Sequence, residues 1–430
     1  MNLAIYSMTK NFYCSAKWEE LYLYLNSGLT NSCHHPIPHK IPIVELKENV
    51  FALHNTSHKM KMQELLLNGE RPEECHMCWH IEDVSPDVVS DRMLKNQKYK
   101  DSPPAEVKID HIPKFIEVVL DNLCNLSCSY CDSGQSSSWA KELEKNGAFD
   151  LKTDYRQLYQ KVHLKQSKIN EVYLDAWNEW WPVIKHQVRS LKFSGGEPLT
   201  SPNVWKTLNA IDSENNLNLI FNSNFSFDKK YIDRLLSHCD KFKSVRIAIS
   251  LDATGSIAEF ARAGLDFELF KSNVEYWCEN SKSNCSLSFQ STMNIFNIWG
   301  FSDLLNYYTS MTEKYPNKII SIYHTVVRFP EFQSILNIPK ELRLELSRDI
   351  KSKSERFFKK ADKDSINYTN KILLYLESDA EPLNKLNTND LKEDLIKFLK
   401  RYETIAKKSI IDLYPKKFLD FLDKIGNHNE

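Results

Sequence analysis

Three closely spaced cysteines, Cys124, Cys128 and Cys131, are the residues of this sequence best suited to metal chemistry. Their C-x3-C-x2-C segment directly follows an apolar run (115–120) that predicts a buried strand. Three thiolates on one short loop can bind three irons of a 4Fe-4S cluster and leave the fourth iron open. A structural zinc site takes four protein ligands, and this loop offers no fourth ligand nearby. The spacing therefore favours an iron–sulfur cluster with one open iron.

A second motif follows the next apolar run, and it consists of Ser194, Gly195, Gly196, Glu197 and Pro198. Together, this segment and the cysteine loop, with Tyr130 before its third cysteine, resemble the signatures of the radical S-adenosylmethionine (SAM) enzyme superfamily. In that family the open iron chelates SAM. The resemblance implies that backbone at Ser194, Gly195 and Gly196 approaches the amino group of SAM and that Glu197 pairs with it.

The resemblance also implies other contacts with SAM. The segment Asn222-Ser223-Asn224 closes the third predicted strand, and Ser250 and Asp252 close the fourth. In relatives these positions, Asn224 among them, hydrogen-bond the ribose and methionine parts of SAM, and a residue matching Arg262 faces its carboxylate. Tyr130 is expected beside the adenine. A turn or helix cap is the alternative interpretation of Asn224, and a surface position on a helix is the alternative for Arg262.

A specific chemistry follows from the resemblance. The reduced cluster would cleave SAM to methionine and a 5′-deoxyadenosyl radical, which would remove a hydrogen atom from the substrate. Relatives with a second cluster often crosslink, epimerise or oxidise peptides, so a peptide or protein substrate is expected. The alternatives are a dehydrogenase or rearrangement enzyme acting on a small molecule, and a metal-binding scaffold without catalysis. An external electron donor such as flavodoxin or ferredoxin is an expected partner.

Four more cysteines, Cys14, Cys33, Cys75 and Cys78, lie in the first 108 residues. Two single cysteines and a C-x2-C pair can enclose a complete metal site. Their pattern resembles the twitch domain of a radical SAM subfamily, which implies an auxiliary 4Fe-4S cluster that transfers electrons. Unligated thiols and a structural zinc site remain as alternatives. Three histidines could replace a cysteine at zinc: His34, His35 and His76.

The remaining cysteines have simpler interpretations. Cys239 and Cys278 follow apolar residues at helical spacing and are predicted to be small core residues. Cys285 opens a predicted strand, where it is either a core residue or a hydrogen-atom donor to a substrate radical.

Apolar runs that alternate with helical patterns predict the elements that position these residues. Strands are expected at residues 115–120, 190–193, 217–221, 245–251, 287–293 and 319–327, and helices at 201–211, 229–238 and 268–277. This alternation predicts an α/β fold with a parallel sheet. Spacing alone does not separate a barrel from an open doubly wound sheet. The radical SAM resemblance implies a partial (β/α)6 TIM-like barrel.

The polar residues of the fifth predicted strand have a spacing of two. Gln290, Thr292 and Asn294 therefore share one face of the sheet. That face either lines the active-site cavity or meets solvent.

Three regions are expected along the chain. Residues 1–108 form the twitch-like auxiliary-cluster module, which ends in a polar, proline-containing linker (98–105). Residues 109–335 form the barrel, with a long insertion at 150–180 near its mouth. Residues 336–430 form a helical extension that packs against the barrel or caps its bottom, or else binds a partner.

Composition excludes several classes of protein. The net charge is −1 and no basic stripe with interleaved aromatic residues is present, so neither nucleic acid nor a membrane surface is an expected partner. The N-terminus has no long apolar run, so neither a signal peptide nor a membrane anchor is expected. Ten cysteines without a secretory signal indicate metal binding in the cytoplasm rather than disulfides.

Overall fold

A mixed α/β fold around one large sheet organises the chain. The computed structural model describes residues 12–84, 88–101, 106–153, 167–212, 214–380 and 388–427. In these ranges the strands are β1 (Glu20–Tyr24), β2 (Leu29–Asn31), β3 (His39–Lys40), β4 (Phe115–Val119), β5 (Ser127–Cys128), β6 (Ser190–Phe193), β7 (Glu214–Ser223), β8 (Phe242–Ser250), β9 (Arg262–Ala263), β10 (Cys285–Met293) and β11 (Ile319–Val326).

The helices connect the strands and extend the chain beyond the sheet. They are α1 (Ala16–Glu19), α2 (Ile43–Glu48), α3 (Ser57–Leu67), α4 (His76–Val84), α5 (Asp91–Lys98), α6 (Ser137–Asn146), α7 (Ser167–Ile184), α8 (Pro202–Asn209), α9 (Lys230–Leu236), α10 (Gly255–Ala261), α11 (Phe267–Asn280), α12 (Phe301–Lys314), α13 (Lys340–Lys353), α14 (Glu355–Lys360), α15 (Lys363–Glu377), α16 (Thr388–Ala406) and α17 (Lys416–Asn427). None of these helices is long and apolar enough to span a membrane.

Six neighbouring strands of the sheet run parallel, in the order β4-β6-β7-β8-β10-β11. Each overlaps one of the six predicted strands, so the predicted α/β class with a parallel sheet is confirmed. The helices predicted at 201–211, 229–238 and 268–277 correspond to α8, α9 and α11. The observed bounds differ from the predicted ones by a few residues.

The N-terminal region adds three strands to this sheet, which the sequence pattern did not predict. β1 pairs in parallel with β4, and β2 and β3 continue the sheet in antiparallel pairs. Leu21 and Leu23 of β1 are buried, whereas Tyr22 and Tyr24 on its other face are half-buried. Residues 102–105 of the predicted linker lie outside the described residues.

The predicted insertion at 150–180 is only partly described, because residues 154–166 lie outside the described ranges. Its described part includes most of α7. This helix packs against the N-terminal region, where the Tyr173 hydroxyl donates a hydrogen bond to the Ile41 carbonyl at 3.0 Å.

The two faces of the parallel strands differ in polarity. Side chains of one face, such as Leu191, Leu219, Ile247 and Phe289, are fully buried. Half-buried side chains lie on the other face, called here the polar face: Glu117, Lys192, Asn222, Arg246, Ser250, Gln290 and Tyr323. Helices that cover both faces of a parallel sheet require apolar strands throughout. The polar face is therefore suited to line a cavity.

The C-terminal helices pack against the edge and the carboxyl end of the sheet. Ser365 of α15 accepts a hydrogen bond from the backbone N–H of Ile322 in β11 at 3.0 Å. Tyr402 of α16 contacts the segment that carries the cysteine loop, donating to the Ser127 carbonyl at 2.9 Å. The tail was expected to pack against the barrel or to cap its bottom. The contact of α16 with Ser127 agrees with packing and lies beyond the carboxyl end of β4, away from the bottom.

Candidate active site

The first turn of α6 holds the backbone of the cysteine loop. The Cys124 N–H donates to the Ser137 hydroxyl at 3.1 Å, and the Ser138 hydroxyl donates to the Cys124 carbonyl at 2.8 Å. The indole N–H of Trp139 donates to the Cys128 carbonyl at 2.9 Å. A polar helix start thus fixes two of the three cysteines directly after β4.

A short antiparallel ribbon connects this loop to a distant part of the chain. Cys128 of β5 is paired with Arg262 of β9. The hydroxyl of Tyr402 also lies 3.2 Å from the carbonyl oxygen of Ala261, next to β9. The ribbon brings an arginine, 134 residues away in sequence, to the cysteine loop.

The second motif packs directly against the start of the cysteine loop. A Cβ atom on Gly196 would lie 2.2 Å from the Leu123 carbonyl oxygen, so only glycine allows this approach. Gly195 has a φ of +105°, which also favours glycine. The Glu197 N–H donates to the same Leu123 carbonyl at 2.6 Å. The two sequence motifs therefore form one structural unit.

These elements enclose a cavity of about 190 Å³. Its lining includes these residues that the sequence singled out: Cys124, Cys128, Tyr130, Cys131, Gly195, Gly196, Asn224, Ser250, Arg262, Gln290 and Thr292. Asn222 and Ser223 of the segment Asn222-Ser223-Asn224 also line it, as do Leu126 and Gln135, which the sequence did not single out. The structure thus brings together residues from the cysteine loop, the glycine motif and three parallel strands.

Four residues singled out from the sequence lie outside this lining. Glu197, Asp252 and Asn294 are fully buried behind it. The backbone N–H of Ser194 donates to the Val118 carbonyl at 3.2 Å, as part of the path from β6 to the glycines. Thr292 and Gln290 line the cavity, but the Asn294 amide instead donates to the Ser129 hydroxyl at 3.2 Å.

The Glu197 carboxylate accepts hydrogen bonds from neighbouring backbone and side-chain groups. The donors are the Asn224 N–H at 2.6 Å, the Leu199 N–H at 3.1 Å and the Ser223 hydroxyl at 3.0 Å. Complete burial raises the pKa of Glu197 to about 7, although these hydrogen bonds act in the opposite direction. The expected pairing with the amino group of SAM stays a prediction.

Asp252, Arg262 and Tyr130 form a buried network beside the cavity. Arg262 donates from Nε to Asp252 at 2.8 Å and from Nη2 to the Tyr130 hydroxyl at 2.6 Å, and Tyr130 donates to Asp252 at 2.6 Å. Burial alone would lower the pKa of Arg262, but Asp252 and Tyr130 keep it well above its ordinary value. Arg262 Nη1 lies 3.7 Å from Cys128 Sγ. The expected contacts of these residues with SAM stay predictions.

Of two further polar residues of the cavity, Asn222 was part of a segment singled out from the sequence and Gln135 was not. The side-chain oxygen of Asn222 is buried and has no hydrogen-bond partner among the described residues, so it is available to a ligand. Its position at the end of a predicted strand, in the segment Asn222-Ser223-Asn224, is the signal that identified it. Gln135 has no comparable signal, because it lies in an irregular segment after the cysteines.

The three cysteines fit an iron–sulfur cluster by the chemistry of their donor atoms. Thiolates are the ligands that such clusters require, and all three side chains line one cavity. Burial and the neighbouring Cys128 raise the pKa of Cys124 to about 12, and burial also raises the pKa of Cys131 and Cys128. Metal binding at this loop must therefore displace thiol protons.

The four N-terminal cysteines also meet at one place. Cys14, Cys33, Cys75 and Cys78 line a small cavity of about 20 Å³. Burial raises the pKa of Cys14 to about 12 and that of Cys33 to about 11. The buried Lys17 ammonium lies beside this cavity and forms an ion pair with Glu74. The donor set is again suited to a soft metal or an iron–sulfur cluster.

The histidines near these cysteines pair with an acid. The Nε2 atoms of His35 and His34 lie 2.8 Å and 3.1 Å from an Asp91 oxygen, and His76 is exposed. Among the described residues, His34, His35 and Asp91 form the only group of at least three potential ligands whose donor atoms lie within 4.8 Å of one another. No three cysteine sulfurs of the described chain are that close.

The two groups of cysteines lie at opposite ends of β1 and β4. Cys14 precedes β1, and Cys33 follows the antiparallel β2, so both lie at the amino end of the parallel strands. The C-x3-C-x2-C loop follows the carboxyl end of β4. A five-residue strand spans about 17 Å, which sets the scale of their separation.

The other three cysteines are buried. Cys239 and Cys278 lie in the core, as predicted. Cys285 is the first residue of β10, whereas Gln290 and Thr292 near the other end of this strand line the cavity. The suggestion that Cys285 donates a hydrogen atom to a substrate radical is therefore wrong, because about 16 Å of strand separates it from Gln290.

Comparisons with known proteins give little similarity in sequence. No protein-family model and no curated protein sequence matches the chain. Two crystal structures of SuiB from Streptococcus suis resemble its fold weakly. The structure with precursor peptide SuiA has a TM-score of 0.34 and 14% identity, covering 79% of this chain and 70% of that one. The structure with S-adenosylmethionine has a TM-score of 0.33 and 15% identity, covering 77% and 67%.

Proposed function

We propose that this chain is a radical SAM enzyme that carries a 4Fe-4S cluster at Cys124, Cys128 and Cys131. The observation that supports it most is the shared cavity of these cysteines with Gly195 and Gly196. The third cysteine, Cys131, and the first glycine, Gly195, are 64 residues apart in the sequence. The two motifs nevertheless meet at one site suited to a cluster and a small polar cofactor.

The residues that would hold SAM surround the cysteine loop. Asn224, Ser250 and Arg262 supply polar side chains at the cavity wall, and the glycines leave backbone accessible. Asp252 and Tyr130 fix the orientation of the Arg262 guanidinium. When bound, the cluster and SAM supply one-electron reduction and the abstraction of a hydrogen atom from the substrate.

The polar face supports a partial (β/α)6 barrel whose interior receives substrate. In this proposal residues 109–335 form the barrel, residues 336–430 the helical extension and residues 1–108 the twitch-like module. That module is joined to the barrel sheet through the pairing of β1 with β4. A half-buried polar interior suits a peptide, which brings many hydrogen-bonding groups, and an external donor such as flavodoxin or ferredoxin would supply electrons.

The N-terminal cysteines would hold a second 4Fe-4S cluster. Zinc with four sulfur ligands at about 2.3 Å places the sulfurs about 3.8 Å apart. Cys14, Cys33, Cys75 and Cys78 include no set of three sulfurs within 4.8 Å of one another, although they line one cavity. Four thiolates around one cavity match a cluster, in which each sulfur binds a different iron. At the opposite end of β4 this cluster would transfer electrons rather than bind substrate.

Formation of 5′-deoxyadenosine from SAM tests the proposed function. After anaerobic reconstitution and reduction with dithionite, the wild-type chain should release 5′-deoxyadenosine, measured by liquid chromatography and mass spectrometry. Cys128→Ala should abolish this product, because it removes a ligand of the proposed cluster. Cys278→Ala is the matched control, since Cys278 is a buried cysteine of the core, and it should retain the activity.

Retained product in the Cys128→Ala variant would rule out the cluster assignment. Absence of product from the wild-type chain, with its cluster assembled, would instead support a metal-binding scaffold.

A further inference from the structure

Arg246 lies in the middle of the polar face. It shares this face with Ser250, four residues further along β8, because alternate residues of a strand point to the same side. Its Nη2 donates to the Tyr323 hydroxyl at 2.6 Å and to the Ser321 hydroxyl at 3.4 Å, and its Nε donates to the Ser288 hydroxyl at 3.3 Å. Hydroxyl groups from two neighbouring strands thus orient the guanidinium.

The charge of Arg246 is not balanced by an acid. Within the described ranges, no carboxylate lies within ion-pair distance of Arg246, and its hydrogen-bond partners are hydroxyls. The other two charged residues of the polar face pair with each other, since Lys192 Nζ lies 3.1 Å from a Glu117 oxygen. Arg262 at the cavity is likewise paired with Asp252.

A half-buried guanidinium that is hydrogen-bonded only to neutral hydroxyls is preorganised to bind an anion. Partial burial removes water from the charge, and the fixed hydroxyls reduce the entropy lost when a ligand binds. The bonds to the hydroxyls use Nε and Nη2, and Nη1 has no partner among the described residues, so its N–H groups can donate to a carboxylate.

The position of Arg246 sets the size of the ligand. Four residues of strand separate it from Ser250 at the cysteine-lined cavity, a distance of about 13 Å. An extended peptide covers this distance with about four residues.

We propose that Arg246 binds an Asp or Glu side chain of a peptide substrate, about four residues from the residue that is modified. This proposal rests on the proposed function and makes Arg246 a determinant of peptide specificity. Charge complementarity selects the acidic side chain, and the distance from the cavity selects a peptide.

Selection from a library of randomised peptides tests this proposal. The full-length, anaerobically reconstituted chain is immobilised in the presence of SAM, and the retained peptides are sequenced. The wild-type chain should enrich Asp or Glu at one position by about ten-fold, as expected for a hydrogen-bonded charge. Arg246→Gln should lose this enrichment, and Arg246→Lys should retain only part of it because an ammonium lacks the planar fork.

Lys243→Gln provides the matched control. Lys243 lies on the same strand, is exposed and points to the opposite face, so its loss should leave the acidic preference unchanged. Thermal unfolding shows whether each variant is folded. If Arg246→Gln fails to fold, the Arg246→Lys variant decides, because an acidic enrichment equal to that of the wild-type chain would overturn the proposal.

Three other results would overturn it: no retained peptides, retained peptides without an acidic preference, or the same preference in folded Arg246→Gln. Release of 5′-deoxyadenosine by the same preparation separates the two proposals. Product without acidic selection would reject the role of Arg246 alone. Acidic selection without product would reject radical SAM chemistry and leave an acidic-peptide site at Arg246.

Discussion

Glu197 is buried and has no cationic partner within the described part of the chain, and this sets its chemistry. The carboxyl group is fully buried, and its pKa rises from 4.5 to about 7. A carboxyl group whose pKa is higher in the folded than in the unfolded chain stabilises the fold at low pH. This contribution is complete below about pH 4.5 and is lost as the pH rises through about 7.

The substitution Glu197→Gln should therefore flatten the pH dependence of stability. Relative to the variant, the metal-free wild-type chain should lose up to about 3 kcal/mol of unfolding free energy between about pH 5 and about pH 8. Urea denaturation at both pH values measures this difference. Glu268→Gln is the control, because Glu268 is an exposed carboxylate on α11. An equal difference between wild type and Glu197→Gln at both pH values would show that Glu197 does not titrate in this range.

For individual residues, the sequence predicted which ones lie at the same site but not which side chains they contact there. The cysteines, the glycines, Ser250 and Arg262 meet at one cavity because adjacent parallel strands end there. The pairing of Arg262 with Asp252 depends on the β5–β9 ribbon, which joins residues far apart in the chain. Short polar segments carry no periodic pattern that would predict such pairing.

Among the elements, the β5–β9 ribbon needs contacts with another part of the chain to be stable. It consists of two strands of two residues each, and two strands this short are not stable alone. The Tyr402 hydroxyl of α16 contacts the carbonyls of Ser127, in β5, and Ala261, next to β9. The C-terminal extension therefore helps to position Cys128 and Arg262.

Replacing Tyr402 with phenylalanine should loosen this ribbon. The change keeps the buried ring but removes the hydroxyl, which donates to the Ser127 carbonyl and accepts from the Ala263 N–H at 3.3 Å. Because both backbone groups are buried and lose this partner, the change should cost about 1–3 kcal/mol. The Ala261 carbonyl keeps the Ser129 N–H as its donor. Urea denaturation measures the loss, and the iron content after reconstitution should fall as well.

The matched control is Tyr414→Phe. Tyr414 is also buried and, like Tyr402, packs edge-to-face against Phe260 of α10, but its hydroxyl has no hydrogen-bond partner among the described residues. Its removal should be neutral or slightly stabilising. Equal losses in the two variants would mean that the ring, rather than the hydroxyl of Tyr402, supports the ribbon.

The sequence predicted the six parallel strands because each is a distinct apolar run between helical patterns. It did not predict β1, β2 and β3, which are two to five residues long. The alternation of β1 indicates a strand with one buried face. Its pairing with β4 joins residues 95 positions apart, which local patterns do not specify.

For the whole molecule, the extended sheet determines where the two cysteine sites lie. The pairing of β1 with β4 places the N-terminal cysteines at the amino end of the parallel strands and the C-x3-C-x2-C loop at the carboxyl end. The two proposed clusters would thus have separate surroundings. One can be removed while the other remains, which allows the open iron to be tested alone.

Electron paramagnetic resonance of a Cys75→Ala/Cys78→Ala variant is the most direct test of the open iron. With the second site disabled, the reconstituted chain should hold about four irons, and after reduction its spectrum should change when SAM is added. Such a change is expected because SAM would bind the iron that Cys124, Cys128 and Cys131 leave open. A cluster spectrum that SAM does not alter, or a variant that binds no iron, would contradict the proposal that this chain is a radical SAM enzyme.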